Sequence, residues 1–224
     1  MAGKLLALLM ALLSLGQGTV NGYVDDMSLG GNLFLVNREY AITADYVPGD
    51  LIKPDVLKTN SDITMRADAA HALEALFAAA KEEMGYDLVA VSGYRSYGQQ
   101  ASIHERKVKA VGKKAALRVS APAGCSEHQL GLAMDIGTRK NTSLTESFGS
   151  TPEGIWVAEN AHRFGFIIRY KAEWEEITGY AYEPWHIRYV GVEHAERIYE
   201  LDIPFEYYIA QLREAQWALL RAKE

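Results

Sequence analysis

The sequence predicts an α+β domain in which a small antiparallel sheet is flanked by helices, with a functional cleft over the sheet. Three observations carry that prediction. Short apolar runs with strand character stand at 87–94 (DLVAVSGY), 131–137 (GLAMDIG), 166–170 (FIIRY) and 183–191 (EPWHIRYVG). Segments of helical periodicity separate them, which favours a mixed sheet-and-helix domain over an all-helical or all-strand one. Finally, 224 residues with 49% hydrophobic and 23% charged side chains suit one compact domain with some decoration, without internal repeat or low-complexity segment.

The elements follow in order. Residues 1–22 (MAGKLLALLMALLSLGQGTVNG) place Lys4 before an apolar run from Leu5 to about Leu15, then small and polar residues. That is the pattern of a signal peptide or an uncleaved N-terminal anchor, with an apolar stretch too short to span a bilayer, and it predicts export beyond the membrane. Residues 23–61 mix Asp, Gly, Pro and Asn with short apolar runs such as 33–36, and read as an extended strap over the main domain. From Met65 the spacing of Ala69, Leu73, Leu76, Phe77 and Ala80 is that of an amphipathic helix, opened by Asp62 or Thr64 as a cap and ended by Gly85. A strand at 87–94 leads to a helix from about Tyr97 to Val111, and 118–128 (RVSAPAGCSEH) is loop-like. In the next strand Leu132, Met134 and Ile136 share one face and Ala133, Asp135 and Gly137 the other. The small neighbours of Asp135 leave room for something to sit on it. A helix after Thr151 as cap has Pro152 at its first position and Gly165 past its end. Two strands follow, then helices at 192–200 and 204–222, the last opened by Asp202 and Pro204. The divisions are thus 1–22, a strap at 23–61, a core at 62–203 and a C-terminal helix at 204–224.

Composition excludes some functions. A net charge of −6 argues against a general nucleic-acid binder. The basic run 105–118, with six Lys or Arg, reads most simply as a solvated helix face. Nothing in the chain demands an obligate protein partner, and a monomer is expected. With one cysteine, no disulfide within the chain is possible.

The residues able to carry chemistry are few. His71, His104, His162 and His194 fall within helices and read as ordinary surface or half-buried histidines. His128 and His186 differ, because each sits where a loop enters a strand and each is close to a carboxylate. Alternation in 183–190 puts Trp185, Ile187 and Tyr189 on the apolar face and His186, Arg188 and Val190 on the other. Pro184 biases Glu183 away from helix, and a turn there could bring Glu183 and His186 into one cleft although straight alternation opposes them. Two histidines, an aspartate and a spare glutamate are the inventory of a catalytic zinc site. A structural aspartate beside a satisfied core histidine would produce the same letters. Cys125 and His128 could instead pair as nucleophile and base, but no cation besides that histidine flanks the thiol, and a small filler explains it better. Arg95, at the end of a strand in SGYRS, could hold a carboxylate by two parallel hydrogen bonds or simply close a salt bridge.

Taken together, SGYRSYGQQ, SEHQLGLAMD and GYAYEPWHIRYVG resemble the VanY-type D-alanyl-D-alanine carboxypeptidases, within the wider zinc metallopeptidase group of lysostaphin and the hedgehog domain. The resemblance covers roughly residues 62–191. It implies one catalytic Zn2+ held by His128, Asp135 and His186, Glu183 as general base, and Arg95 binding the substrate's terminal carboxylate or stabilising the reacting centre. Ser126 and Gln100 match polar positions lining the substrate cleft. The implied substrates are the peptide stems of peptidoglycan, and the implied reaction is removal of a terminal D-alanine. An L,D-carboxypeptidase or dipeptidase on the same scaffold, or a zinc-containing domain that only binds cell wall, are the alternatives.

Overall fold

The computed structural model describes residues 27–221. The segment 1–22, where a signal peptide or anchor is expected, lies outside the described residues. Among the described residues no helix is long and apolar enough to cross a membrane.

Four strands form the central antiparallel sheet: β3 (Leu88–Ser92), β4 (Ala133–Thr138), β5 (Phe166–Tyr170) and β6 (Glu183–Tyr189), in the order β3-β4-β6-β5. A second, two-stranded sheet pairs β1 (Leu51–Ile52) with β2 (Met65–Arg66). The helix α1 (Ala67–Met84) buries Leu73, Leu76 and Phe77 in a core shared with Leu88, Met134, Ile136 and Ile187. Met134, Ile136 and Ile187 thereby commit one sheet face to this core, and alternation sends Asp135 and His186 to the opposite face. Beyond β5 a second core joins Ile167 and Val190 to α6 (Val192–Leu201), α7 (Phe205–Arg221) and the strap residues Leu33 and Leu35. Strand β5 is therefore buried on both faces, which explains its nearly continuous apolar sequence.

Several expected boundaries shift. The first helix starts at Ala67 behind Arg66, not behind Asp62 or Thr64. Met65 and Arg66 are taken into the pairing with β1, and the Thr64 carbonyl accepts a hydrogen bond from the Tyr94 amide at 2.7 Å, so none of these residues is free to open a helix. The helix α2 (Tyr97–Val111) has the expected span, opened by a capping box between Ser96 and Gln99. A short helix α3 (Lys113–Val119) then follows Gly112, beyond the expected end of the second helix at Val111. All six cations of the 105–118 run are exposed, as a solvated face requires. Thr151 does cap α4 (Pro152–Asn160), whose end tightens into a 3-10 turn, Ala161–Phe164, before Gly165 at φ 81°; the one-turn α5 (Glu175–Thr178) follows β5.

Residues 27–64 carry little regular structure but are stitched to the rest by backbone hydrogen bonds. The Ile42 amide donates to Gly124 O, the Thr59 amide to Ala90 O at 2.9 Å, and the Ala90 amide to Leu57 O at 2.8 Å. Buried Leu33 and Val36 fix the segment on both cores.

Candidate metal centre and active site

Register across the sheet assembles the site. Ser92 on β3 pairs with Asp135 on β4, and Asp135 pairs with His186 on β6, so one line across three strands brings these side chains together. His128 arrives on a 3-10 turn (Glu127–Leu130) that Gly131 ends at φ 68°, a left-handed conformation that favours glycine and aims the turn back over β4. Glu183 opens β6 opposite Tyr170. Between Ile168↔Ile187 and Tyr170↔Glu183 the register shifts, because β6 spends more residues than β5. Within this irregular stretch β6 departs from straight alternation, and Glu183 lines the same cleft as His186, with Glu183 Oε2 4.0 Å from His186 Nδ1. Trp185 is half-buried there; it packs on the main core and also reaches the cleft wall.

His128, Asp135 and His186 are buried, and one donor atom from each lies within 4.8 Å of the others. His128 Nε2 is 3.4 Å from Asp135 Oδ2, and His186 Nδ1 is 3.2 Å from Asp135 Oδ1. Ligands about 2.1 Å from a tetrahedral zinc stand about 3.4 Å apart, so the three side chains fit one ion. The other ring nitrogens are engaged elsewhere: His128 Nδ1 donates to Gly93 O at 2.7 Å, and His186 Nε2 lies 3.1 Å from Glu127 Oε2. Each histidine is thus held by one nitrogen and offers the opposite one to the ion, the arrangement metal-binding histidines ordinarily have.

The electrostatics divide the carboxyl groups. Burial alone would raise Asp135, but His128 and Arg95 beside it hold it well below the usual carboxylate range. Glu183 goes the other way, pushed up to about 7 by burial, with the Asp135 charge adding to it and His186 and Arg95 opposing. Burial alone would lower His186, yet hydrogen bonds to Asp135 and Glu127 outweigh it and raise the ring to about 9. His128 is lowered by burial and by Arg95. One carboxylate stays ionised while its neighbour is poised to accept a proton near neutrality, a division of labour suited to acid-base chemistry.

These groups line a cleft of about 480 Å³ that also reaches Tyr170, Tyr180 and Tyr182. Arg95 lies at its edge, hydrogen-bonded to Asp135, to Ser92 Oγ at 2.9 Å and to Gln100 Oε1 at 3.3 Å. Gln100 is buried, and its amide nitrogen donates to Ala121 O at 2.7 Å, so both ends of its amide are engaged and it steadies Arg95. Ser126 is buried at the cleft wall. Cys125 is half-buried, absent from the cleft lining, and its thiol is pushed up by burial, which leaves it a poor nucleophile at neutral pH. The space expected beside Asp135 at Gly137 is filled instead: a Cβ there would stand 2.9 Å from Asn141 O.

The residues missed by sequence reasoning are Glu127, Arg169 and Arg188. Arg169 and Arg188 are buried in the middle of apolar strands, and both donate to Glu127 Oε1, at 2.8 and 2.9 Å. The signal was visible: an arginine inside FIIRY and another inside HIRYV each require a buried acid.

Gly93 is a tight point of the backbone beside the site. A Cβ there would lie 2.3 Å from Thr64 O and 3.0 Å from Met134 Cε. Gly93→Ala should destabilise the fold by about 1–3 kcal/mol through overpacking. It should also weaken metal binding, because the Gly93 carbonyl is what orients His128. Urea melts and metal titration of the variant check both effects; a variant unchanged in both would show that the strand end relaxes freely.

Comparison with known proteins gives a consistent picture. A family model described as VanY, D-alanyl-D-alanine carboxypeptidase, matches residues 62–192. The YodJ protein of Bacillus subtilis is 47% identical over 81% of this chain and 68% of its own length. A D-alanyl-D-alanine carboxypeptidase of Enterococcus faecium is 35% identical over 82% of this chain and 59% of its own. The chain therefore spans about three fifths to two thirds of these relatives. Among solved structures, the LdcB LD-carboxypeptidase superposes with a TM-score of 0.74 at 48% identity, covering 79% of this chain and 85% of the other. A variant of the vancomycin-resistance D,D-pentapeptidase VanY in complex with Zn(II) gives a TM-score of 0.67 at 38% identity, over 80% and 98%.

Proposed function

Since the chain belongs to the VanY family of D-alanyl-D-alanine carboxypeptidases, we propose that it is a zinc-dependent carboxypeptidase that hydrolyses the terminal D-alanine from peptidoglycan stem peptides. The observation that carries this reading is the convergence of His128, Asp135 and His186 on one point of a cleft that Glu183 and Arg95 also line. The three ligand side chains would hold the ion, and bound zinc supplies Lewis acidity that polarises the scissile carbonyl and acidifies the attacking water. Glu183 takes a proton from that water as its oxygen bonds to the carbonyl carbon. It then delivers the proton to the D-alanine nitrogen as the C–N bond breaks. Arg95, steadied by Gln100 and Ser92, presents a guanidinium to the free carboxylate of the substrate and so restricts cleavage to a chain end. Ser126 contributes to the wall that holds the stem. The Lys4 and Leu5–Leu15 pattern supports export, which would place the enzyme where stem peptides are found.

The test is incubation with pentapeptide and tetrapeptide stems, with and without chelator, followed by mass analysis of the products. Loss of one D-alanine from the pentapeptide is expected. The likeness to LdcB favours a second reading, an L,D-carboxypeptidase, for which the tetrapeptide would be shortened instead. Neither product would leave a zinc-containing wall-binding domain. Chelation should abolish activity, whereas alkylation of Cys125 should spare it; the reverse pattern would make the thiol the nucleophile.

A further inference from the structure

Four charged side chains cluster on the Nε2 side of the His186 ring, opposite the Nδ1 that faces Asp135. Glu127 stands at their centre with its side chain fully buried, as are those of Arg169 and Arg188. Both guanidiniums donate to the same oxygen, Glu127 Oε1. Oε2 is left to His186 Nε2 at 3.1 Å. Arg169 is anchored from beyond by a forked pair of bonds to Glu206 on α7, at 3.0 and 2.5 Å. Arg188 is anchored by the Asn32 and Phe34 carbonyls, at 2.8 and 3.0 Å. The two positive and two negative groups balance, but burying them is costly, and packed apolar side chains would hold the same elements together as well. What only this arrangement supplies is a fixed acceptor for one particular nitrogen. An ionised carboxylate has no proton to give, so the nitrogen facing it must donate.

We propose that Glu127 is the positioning residue for His186: its carboxylate keeps the ring proton on Nε2 and so leaves Nδ1 to the metal, while Arg169 and Arg188 hold the carboxylate at that one angle. The proposal rests on the zinc reading above. It predicts a specific failure in Glu127→Gln. Guanidiniums only donate, so the amide oxygen must turn to them and the amide NH2 must face His186. Nε2 then has to accept, the proton moves to Nδ1, and the nitrogen that should meet zinc is blocked.

The experiment measures zinc affinity by competition with a chromogenic chelator for the wild type, Glu127→Gln and Glu206→Gln. Glu127→Gln should bind zinc about 10- to 100-fold more weakly. Glu206→Gln disturbs the anchor of Arg169 but leaves the Glu127–His186 contact, so it should lower thermal stability while keeping zinc affinity. Equal zinc affinity in a folded Glu127→Gln overturns the proposal, as does an equal loss in both variants, which would mark the network as structural only. Should Glu127→Gln not fold, the zinc-loaded wild type labelled with 15N at histidine decides. A slowly exchanging proton on His186 Nε2 is expected, and a ring without it overturns the assignment. A wild type that binds no zinc at all would sink the metal reading and this proposal with it.

Discussion

Glu183→Gln should hold zinc as the wild type does and release D-alanine about 100- to 10,000-fold more slowly. The substitution keeps the shape of the side chain and its ability to accept a hydrogen bond. It removes only the capacity to take a proton. Glu183 is suited to that transfer by position and surroundings: it opens β6 beside Tyr170, 4.0 Å from a ligand nitrogen, in a pocket whose burial pushes it up to about 7. Initial rates on a pentapeptide stem, taken together with zinc content, separate this role from metal binding. A rate near that of the wild type would place the acid-base group elsewhere in the cleft. Loss of zinc along with rate would make Glu183 a part of the metal site.

The second large effect is on stability. Arg188→Ala should cost about 3–5 kcal/mol, because removing one partner of a buried ion pair leaves the other charge uncompensated. Here the deletion strips Glu127 of one of its two guanidiniums and also removes the Arg188 bonds to the Asn32, Phe34 and Tyr189 carbonyls. It further removes the cation stacked 5.1 Å above the Phe205 ring. The change reads as a fall in the urea midpoint at unchanged slope. The exposed pair Lys53–Asp62 makes the control, since screened surface charges contribute little. A midpoint shift for Arg188→Ala no larger than for Lys53→Ala would mean that water reaches the network and already compensates it.

Much of this was legible in the letters, and the misses have physical causes. Strand positions and the two faces of β4 follow from period-two alternation, which local sequence carries by itself. The cap at Thr151 is equally local, a hydroxyl one residue before Pro152. The start of α1 was misplaced because pairing of Met65–Arg66 with Leu51–Ile52 overrides the local cap signal at Asp62 and Thr64. The convergence of Glu183 with His186 depends on a register shift set by the partner strand, which no property of EPWH alone dictates. His128, Asp135 and His186 stood out because a loop-to-strand histidine near a carboxylate is locally unusual. Glu127 did not, because its partners Arg169 and Arg188 lie 42 and 61 residues away. Gln100, expected among the polar positions lining the cleft, stands there with both amide ends engaged, by Arg95 and by Ala121 O.

The bonds from Arg188 to the Asn32 and Phe34 carbonyls close the longest loops in this part of the chain, spanning 156 and 154 residues. Contacts so distant carry the largest closure entropy and tend to form after local ones. During folding, the Arg188 nitrogens that meet these carbonyls should therefore stay hydrated until the strap arrives. Zinc capture by a refolding chain should accordingly track strap docking, a slow phase, and lag behind formation of helix α1.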